Sequence, residues 1–337
     1  MLVPRRSPIA LLLALTVSLA LAACDSAGDT LAPPDDGTAG AVESAGAGAA
    51  AQLNDIAAAG TLQRIAFTSY RSGGGDIYKM DPQGSSLARL TTFGSPDVGA
   101  VWSHDNKRVA MVRPRKDASN VVHDDIYLMN ADGTQGHWAR STPFPYYMED
   151  PSWSPDCSRI AVTIVVNGGY YLGWIDLNTG QVGLFNSTAG GRPGRRPSYN
   201  ATGTKIVYAG YRGKTLEQIS ADGLTHKVLL STDASIGDPA YSPDGKKIAF
   251  YKQVGYRYIG EINLEIHVMT LADGTTTRLT NSAGIDVEPS WSPDGSKIAF
   301  SSDRTGSFQI YTMNANGGSQ LRITHTATKE MYPSWSH

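Results

Sequence analysis

The sequence predicts an all-β fold: a six-bladed β-propeller of four-stranded antiparallel blades, closed by the C-terminal strand joining the first blade. Two observations predict it. A turn motif, in which an aromatic residue precedes Ser, Pro, Asp and Gly, recurs at spacings of roughly 40 to 50 residues. Strand-like elements accompany the motif in each repeat. Four short strands in a repeat of this period are typical of a propeller blade.

The first 23 residues have the pattern of a bacterial export signal. Two arginines precede an apolar run at residues 9–21, which is shorter than the roughly 18 to 20 residues needed to cross a bilayer. The run ends in Leu-Ala-Ala-Cys, with the cysteine at Cys24, and this resembles the lipobox of bacterial lipoproteins. The resemblance implies that residues 1–23 are a lipoprotein signal peptide and that the thiol of Cys24 carries a lipid.

Residues 24–60 have the composition of a flexible tether. After Cys24 the chain consists mainly of Ala, Gly, Ser, Asp and Pro, so it has few apolar side chains with which to offset the entropy of ordering. Residues 61–337 are long enough for one large all-β domain or two smaller ones. The repeats favour one, and we expect a single propeller over residues 61–337.

Four elements recur in the predicted propeller. The aromatic residues of the turn motif are Trp102, Trp153, Tyr199, Tyr241, Trp291 and Trp335. A basic residue with alternating apolar residues follows at Arg64, Arg108, Arg159, Lys205, Lys247 and Lys297. A third element contains Ile77, Ile126, Ile175, Ile219, Ile266 and Ile310. The fourth is weak and is clearest at Leu90, Leu279 and Ile323. Short β-branched or aromatic segments bounded by Gly, Asp or Asn predict strands.

The order of these elements predicts how the fold closes. If the four strands of a blade are named a to d from the axis outward, the domain begins with strand b at Arg64 and ends with strand a at residues 333–336. The first blade then takes its inner strand from the end of the chain. This clasp pairs strands that would otherwise be left as edges, and we expect the domain to end with it.

The repeats resemble those of the TolB-type β-propeller family, for which Trp-Ser-Pro-Asp-Gly, Lys-Ile-Ala-Phe and Ile-Tyr-x-Met are typical. The resemblance covers residues 61–337 and is strongest in the repeats that begin at Ser242 and Ser292. It applies to the propeller alone. The resemblance implies a protein of the cell envelope whose channel mouth faces a protein partner.

The Ser-Pro-Asp-Gly motif is interpreted as architecture. Pro presets φ, Asp bonds to its own backbone and Gly adopts a left-handed conformation, so the motif closes a tight turn between strands a and b. Asp156, Asp244 and Asp294 are therefore predicted to be turn formers. Cys157 stands where Gly is expected, and with Cys24 lipidated it has no cysteine to pair with.

The sequence contains no recognisable catalytic or cofactor motif. The seven histidines are scattered without metal-ligand spacing, and there is no Gly-x-Ser-x-Gly elbow or phosphate loop. A net charge of −2 gives no electrostatic case for nucleic acid. We therefore expect a monomer without enzyme activity or cofactor. The alternative is an enzyme or carbohydrate-binding site in the channel, with a divalent metal as a further option.

Loop lengths predict the binding face. The a-to-b and c-to-d turns lie on one face of an antiparallel blade and the b-to-c and d-to-a loops on the other. The first set is short and repetitive, whereas the second varies most at residues 113–124, 143–150, 186–196 and 252–263. Because function and variation tend to share loops, we expect the second face to bind.

Acidic and aromatic residues near the start of each strand a are predicted to form a partner-binding rim around the channel mouth. The predicted rim consists of Asp97, Tyr146, Tyr147, Asp150, Arg195, Arg196, Asp238, Tyr256, Asp286, Glu288, Glu330 and Tyr332. Aromatic and arginine side chains are favoured at binding hot spots, and gathered acids steer cationic ligands. The function expected from the sequence is thus an envelope lipoprotein that binds a protein or peptide at the channel mouth and touches the membrane only through its lipid.

Overall fold

The computed structural model describes residues 63–185, 191–258 and 261–337. The predictions for the signal peptide, Cys24 and the tether lie outside these residues. The described residues form strands and one 3-10 turn at Tyr211–Gly213. Within them, no helix has the length and apolar character that a membrane span requires.

Strands follow one another in chain order and are mostly short. The first twelve are β1 (Ile65–Ser69), β2 (Asp76–Met80), β3 (Ala88–Arg89), β4 (Val98–Trp102), β5 (Arg108–Lys116), β6 (Val122–Asn130), β7 (His137–Trp138), β8 (Tyr147–Trp153), β9 (Arg159–Val166), β10 (Gly169–Asp176), β11 (Val182–Leu184) and β12 (Arg192–Tyr199). The next twelve are β13 (Lys205–Gly210), β14 (Thr215–Ser220), β15 (His226–Ser231), β16 (Ile236–Tyr241), β17 (Lys247–Tyr258), β18 (Glu261–Thr270), β19 (Thr276–Arg278), β20 (Asp286–Trp291), β21 (Lys297–Ser302), β22 (Gln309–Asn314), β23 (Leu321–Arg322) and β24 (Glu330–Trp335).

The strands pair into antiparallel sheets that follow the sequence repeats. Four sheets have four strands each, in the orders β24-β1-β2-β3, β4-β5-β6-β7, β16-β17-β18-β19 and β20-β21-β22-β23. The third and fourth repeats share an eight-stranded sheet, in which β10 pairs with β12 through Tyr171↔Pro193 and Leu172↔Arg192. The predicted all-β fold of four-stranded antiparallel sheets is confirmed.

The first strands of successive repeats contact one another. β24 contacts β4, β4 contacts β8, β8 contacts β12, β12 contacts β16, β16 contacts β20, and β20 contacts β24. The repeats therefore meet along their first strands, and these strands are the innermost elements of the domain.

Alternate residues of the second strands pack against two different neighbouring sheets. Ile65 and Phe67 of β1 pack with Ile310 and Ile323 of the sixth repeat, whereas Ala66 packs with residues of the second repeat. Because both faces of such a strand are covered, β1 is buried along its whole length. This explains why the second strands read as continuous apolar runs rather than as an apolar and polar alternation.

The turns between first and second strands have the predicted geometry. In the fifth repeat, Asp244 Oδ1 accepts hydrogen bonds from Ser242 Oγ (2.6 Å) and from the backbone N–H of Lys246 (3.0 Å). Gly245 has φ +67°, and Cys157 occupies the equivalent place at φ +55°. The Cys157 thiol is buried and forms no disulfide. The motif is therefore structural, as predicted, and Cys157 holds a conformation that suits glycine better.

Two of the four predicted variable loops are in fact extended hairpins. Residues 113–124 continue β5 and β6, and residues 252–263 continue β17 and β18, so each pair of strands projects beyond its neighbours. Residues 143–150 lead into β8, and residues 192–196 belong to β12. The polar composition of these segments suggested loops, but partner strands satisfy their backbone groups and hold them extended.

Candidate functional site

A bulge interrupts the first strand of every repeat at the same place. The register with the second strand shifts there in all six pairings. At each bulge one residue has a left-handed backbone conformation, and we call these six the bulge residues. They are Gly99 (φ +65°), Asp150 (+53°), Arg196 (+57°), Asp238 (+52°), Glu288 (+59°) and Tyr332 (+57°).

The left-handed conformation is costly for three of the six bulge residues. Glycine adopts it freely, but a side chain larger than Asn or Asp does so at a cost of about 1–2 kcal/mol. Arg196, Glu288 and Tyr332 nevertheless occupy it. The backbone conformation is the same at all six bulges, whereas the side chain differs from repeat to repeat. Strain of this kind clusters at functional sites, so these positions are the first candidates for a site.

Five bulge residues form a chain of contacts across neighbouring repeats, four through their side chains and Tyr332 through its backbone N–H. Arg196 Nη1 lies 2.5 Å from Asp238 Oδ1, and Arg196 Nε lies 3.9 Å from Asp150 Oδ1. The backbone N–H of Glu288 donates to Asp238 Oδ2 at 3.1 Å. The backbone N–H of Tyr332 donates to Glu288 Oε2 at 2.7 Å. Each of these residues thus binds the next one along the innermost strands.

Hydroxyl groups from the second strands fix the carboxylates of the bulge residues. Ser301 Oγ donates to Glu288 Oε2 at 2.6 Å. Thr163 Oγ1 donates to Asp150 Oδ2 at 2.9 Å and accepts the backbone N–H of Arg196 at 3.0 Å. Thr163 and Ser301 were not predicted from the sequence, because no local pattern indicates which hydroxyl of a second strand faces a bulge.

Burial and mutual repulsion control the charges of these groups. Burial raises the pKa of Asp238, and the Asp150 carboxylate adds to the rise against the opposing effect of Arg196. Burial, followed by Asp238, raises the pKa of Glu288 to about 7. Burial by itself would lower the pKa of Arg196, but Asp238 and Asp150 hold it well above its usual value. Arg196 is therefore permanently charged beside two carboxyls, those of Asp238 and Glu288, whose raised pKa values make them gain protons more easily than usual.

Three acids of the predicted rim lie elsewhere. Asp97, Asp286 and Glu330 come two residues before a bulge and are 0% exposed. Each forms an ion pair within its repeat, as in the two bonds of 2.6 and 2.9 Å that Arg113 donates to Asp97. These three members of the predicted partner-binding rim are buried and paired, because an arginine on the adjoining second strand, or in the turn that follows it, neutralises each one.

The same arrangement repeats for the other two buried acids. Arg304 Nη2 lies 2.8 Å from Asp286 Oδ2, and Arg71 Nη2 lies 3.1 Å from Glu330 Oε1. The arginines also cover aromatic rings of their own repeats. Since a buried charge persists only when it is paired, these ion pairs are structural and leave Asp150, Asp238 and Glu288 as the acids of the candidate site.

The remaining predicted residues lie at the exposed ends of the loops and hairpins. Tyr146 and Tyr147 are exposed just before and at the start of β8, and Tyr256 is 69% exposed near the tip of the β17–β18 hairpin. The Arg195 guanidinium lies 5.6 Å from the centre of the Tyr170 ring. No hydrogen bond is observed between these side chains and the bulge residues in the part of the chain that the structure describes.

Comparison with known proteins agrees with the repeats. The family model described as the TolB beta propeller domain matches residues 196–337. The chain contains TolB-like propeller repeats. The matched segment contains Arg196, Asp238, Glu288 and Tyr332, so four of the six bulge residues of this TolB-like propeller lie inside it.

Two curated relatives match parts of the chain. The Tol-Pal system protein TolB of Coxiella burnetii is 39% identical over 72 residues, which are 21% of this chain and 15% of the relative. The uncharacterized peptidase YuxL of Bacillus subtilis is 30% identical over 150 residues, which are 44% of this chain and 20% of the relative. The chain therefore matches only about a fifth or less of the length of either relative.

Solved structures share the fold at low sequence identity. TolB from Acinetobacter baumannii superimposes with a TM-score of 0.67 and 20% identity, over 81% of this chain and 66% of that one. An oligogalacturonate lyase in complex with manganese gives a TM-score of 0.53 and 14% identity, over 79% of this chain and 74% of that one. In the part of this chain that the structure describes, no group of three or more His, Cys, Asp or Glu residues is placed to hold a metal ion.

Proposed function

We propose that this chain is an exported lipoprotein of the cell envelope whose closed six-bladed propeller binds a protein or peptide at its channel mouth. The proposal includes a lipid on Cys24, a monomeric propeller and no catalysis. Binding is proposed because the carboxylates of the candidate site are held by Arg196, by hydroxyls and by backbone N–H groups.

Six blades and closure are supported by the pairing of the strands. The eight-stranded sheet contains two complete repeats, which are joined by only two residue pairs between β10 and β12. Counting them separately gives six blades of four strands. β24 pairs antiparallel with β1, from Ile65↔Trp335 to Ser69↔Glu330, and the contacts between first strands return from the sixth repeat to the first.

The observation that carries the proposal is the divergence of the bulge residues. Their backbone conformation is the same in all repeats, so structure alone would be served by glycine, as at Gly99. Instead the chain places Asp, Arg, Asp, Glu and Tyr there and strains the backbone to do so. Retaining strained polar side chains on the innermost strands fits a recognition surface.

Capture from envelope extract tests this proposal. The variant Asp150→Asn/Asp238→Asn/Glu288→Gln keeps the shapes of the side chains and removes their charge, and we expect at least about thirtyfold less captured partner, since losing a buried charge contact costs about 2 kcal/mol or more. The control, Asp156→Asn/Asp244→Asn/Asp294→Asn, lies in the turns of the opposite face and is expected to lower stability but not capture. Equal capture by the first variant, with its fold checked by circular dichroism, would sink the proposal.

Loss of the lipid site is expected to release the protein from membranes. Cys24→Ala removes the only thiol in the Leu-Ala-Ala-Cys motif, and no other segment outside the signal peptide offers a long apolar run. Fractionation should move the variant from the membrane pellet to the soluble fraction while the thermal unfolding of the propeller stays the same. A variant that still sediments with membranes contradicts the lipoprotein assignment.

A further inference from the structure

The hairpins on the proposed binding face differ in length from repeat to repeat. The second repeat has nine residues in each of β5 and β6, and the fifth has twelve in β17 and ten in β18. The first repeat has only five in each of β1 and β2, and the fourth has six in each of β13 and β14. The third repeat has eight residues in each of β9 and β10, so its hairpin is nearly as long as that of the second.

These lengths divide the channel mouth into walls and open ends. In the six-bladed arrangement of the proposed function, on which this inference rests, the second and fifth repeats stand opposite each other, as do the first and fourth. The tall hairpins of the second and fifth repeats therefore form two facing walls, with the third repeat beside the second. The short hairpins of the fourth repeat at one end, and of the sixth and first repeats at the other, leave the mouth low there. At the first repeat the turn contains Gly73 and Gly74, beside which there is open space. The result is a trough that crosses the mouth above the bulge residues.

Both walls carry exposed apolar side chains. On the wall of the second and third repeats these are Val121, Val122, Tyr146, Tyr147 and Tyr170. On the wall of the fifth repeat they are Val254, Tyr256 and Ile262. Tyr256 and Ile262 are direct cross-strand partners, so their side chains lie on the same side of the hairpin. Apolar groups gathered on one face indicate a site for another molecule rather than chance exposure.

The first wall is held together by contacts between its rings. Tyr147 packs edge-to-face against His123 of β6, with ring centres 5.3 Å apart. The Arg195 guanidinium covers the ring of Tyr170 and joins the third repeat to the fourth. The wall is thus continuous from the β5–β6 hairpin to β12, and its side chains are pre-organised for contact.

The floor of the trough carries more negative than positive groups. Asp150, Asp238 and Glu288 face two guanidiniums, because the charges of both Arg196 and Arg195 act on Asp238. Asp124 and Glu149 stand near the base of the first wall, where burial is the main cause that raises the pKa of each. An added cation would lower the repulsion among these acids and favour their ionised forms.

We propose that the trough binds an extended peptide segment in which a lysine or arginine is flanked by apolar side chains. The basic side chain points down to Asp150, Asp238 and Glu288, and the apolar side chains rest on the two walls. The segment enters and leaves over the short turns of the first and fourth repeats. Charge complementarity at the floor and apolar surface on both sides select this chemistry over an acidic or wholly polar ligand.

Selection from a library of random twelve-residue peptides displayed on phage tests the inference. The full-length protein serves as the target, and the selected peptides are synthesised with a fluorophore and measured by anisotropy. We expect them to contain Lys or Arg beside apolar residues, and replacement of the basic residue by norleucine to weaken binding at least tenfold. On Asp150→Asn/Asp238→Asn/Glu288→Gln the same replacement should change binding less than twofold. Tyr256→Ser should weaken all selected peptides, whereas the exposed outer-strand control Leu321→Ser should not.

The outcomes separate this inference from the proposed function. Peptides that bind the trough, as judged by loss on Tyr256→Ser, but tolerate norleucine in place of the basic residue would overturn the ligand chemistry and leave the binding function standing. Failure to select any peptide, or selection of peptides that bind both variants as tightly as wild type, would overturn the binding function and this inference with it.

Discussion

Removal of residues 333–337 is expected to abolish cooperative folding of the propeller. The segment contains Trp335, which is buried against Ile65, Phe67 and Ile310, and Ser336, whose backbone N–H donates to the carbonyl oxygen of Arg64 at 2.8 Å. Truncation of a buried Trp to Ala alone costs about 3–5 kcal/mol, and a domain of this kind is stable by only about 5–15 kcal/mol. The deletion removes the ring together with its backbone pairing, so its effect should exceed that of Trp335→Ala.

Chemical denaturation followed by circular dichroism measures this effect. Wild type should show one cooperative transition, Trp335→Ala the same transition at lower denaturant, and the deletion little or no folded baseline. Leu321→Ser is the matched control, because Leu321 lies on the outermost strand β23 and is 58% exposed. A surface change of this type shifts stability by about 0.5 kcal/mol or less. Equal midpoints for the deletion and wild type would refute a closing role for the last strand.

Low pH is expected to weaken the closure of the propeller by its C-terminal strand. The rings of His104 and His337 stack with centres 3.9 Å apart. Burial lowers the pKa of His104 to about 4, so its ring is neutral at pH 7. Because the unfolded pKa of histidine is about 6.5, the unfolded chain binds protons more readily between these values. The contribution of His104 to stability is therefore present above about pH 6.5 and declines as the pH falls.

The fold was predictable from the sequence because the repeats encode it locally. Apolar second strands, turns such as the one at Asp244, and short third strands each specify their own structure. The pairing of β24 with β1 was predictable from the order of the elements. The first repeat lacks a first strand of its own, and an additional first strand follows the sixth repeat. The lengths of the hairpins at residues 113–124 and 252–263 could not be predicted in this way, because polar strands that project from a sheet have the composition of loops.

The candidate site was only partly predictable, because the bulge in each first strand changes the direction of the side chains around it. An acid two residues before it, such as Asp286, and an acid at it, such as Glu288, look alike in the sequence. The register shift turns the first toward Arg304 and the second toward the neighbouring repeat. Side-chain direction at a bulge departs from the simple alternation of a strand, so sequence periodicity cannot separate structural from candidate functional acids.

Replacement of Arg196 by Ala is expected to cost about 2–3 kcal/mol in the free energy of unfolding at pH 8. The change leaves the carboxylates of Asp150 and Asp238 without their guanidinium partner, and loss of one member of a buried pair typically costs about 3–5 kcal/mol. The Arg196 side chain is 30% exposed, so water replaces part of the lost interaction and the effect should fall below that range. Thermal and urea unfolding of the variant and wild type measure the difference.

The pH dependence and two further variants identify the cause of that loss. Burial raises the pKa of Asp238, so at pH 5 this carboxyl protonates more readily in the folded variant and the destabilisation should be smaller than at pH 8. Arg196→Gly removes the same charge but suits the left-handed conformation, so it should be about 1 kcal/mol more stable than Arg196→Ala. Arg195→Ala is the matched control, since its guanidinium covers the Tyr170 ring, a contact worth about 0.5–1 kcal/mol. If Arg195→Ala and Arg196→Ala cost the same at both pH values, Arg196 does not neutralise the bulge acids.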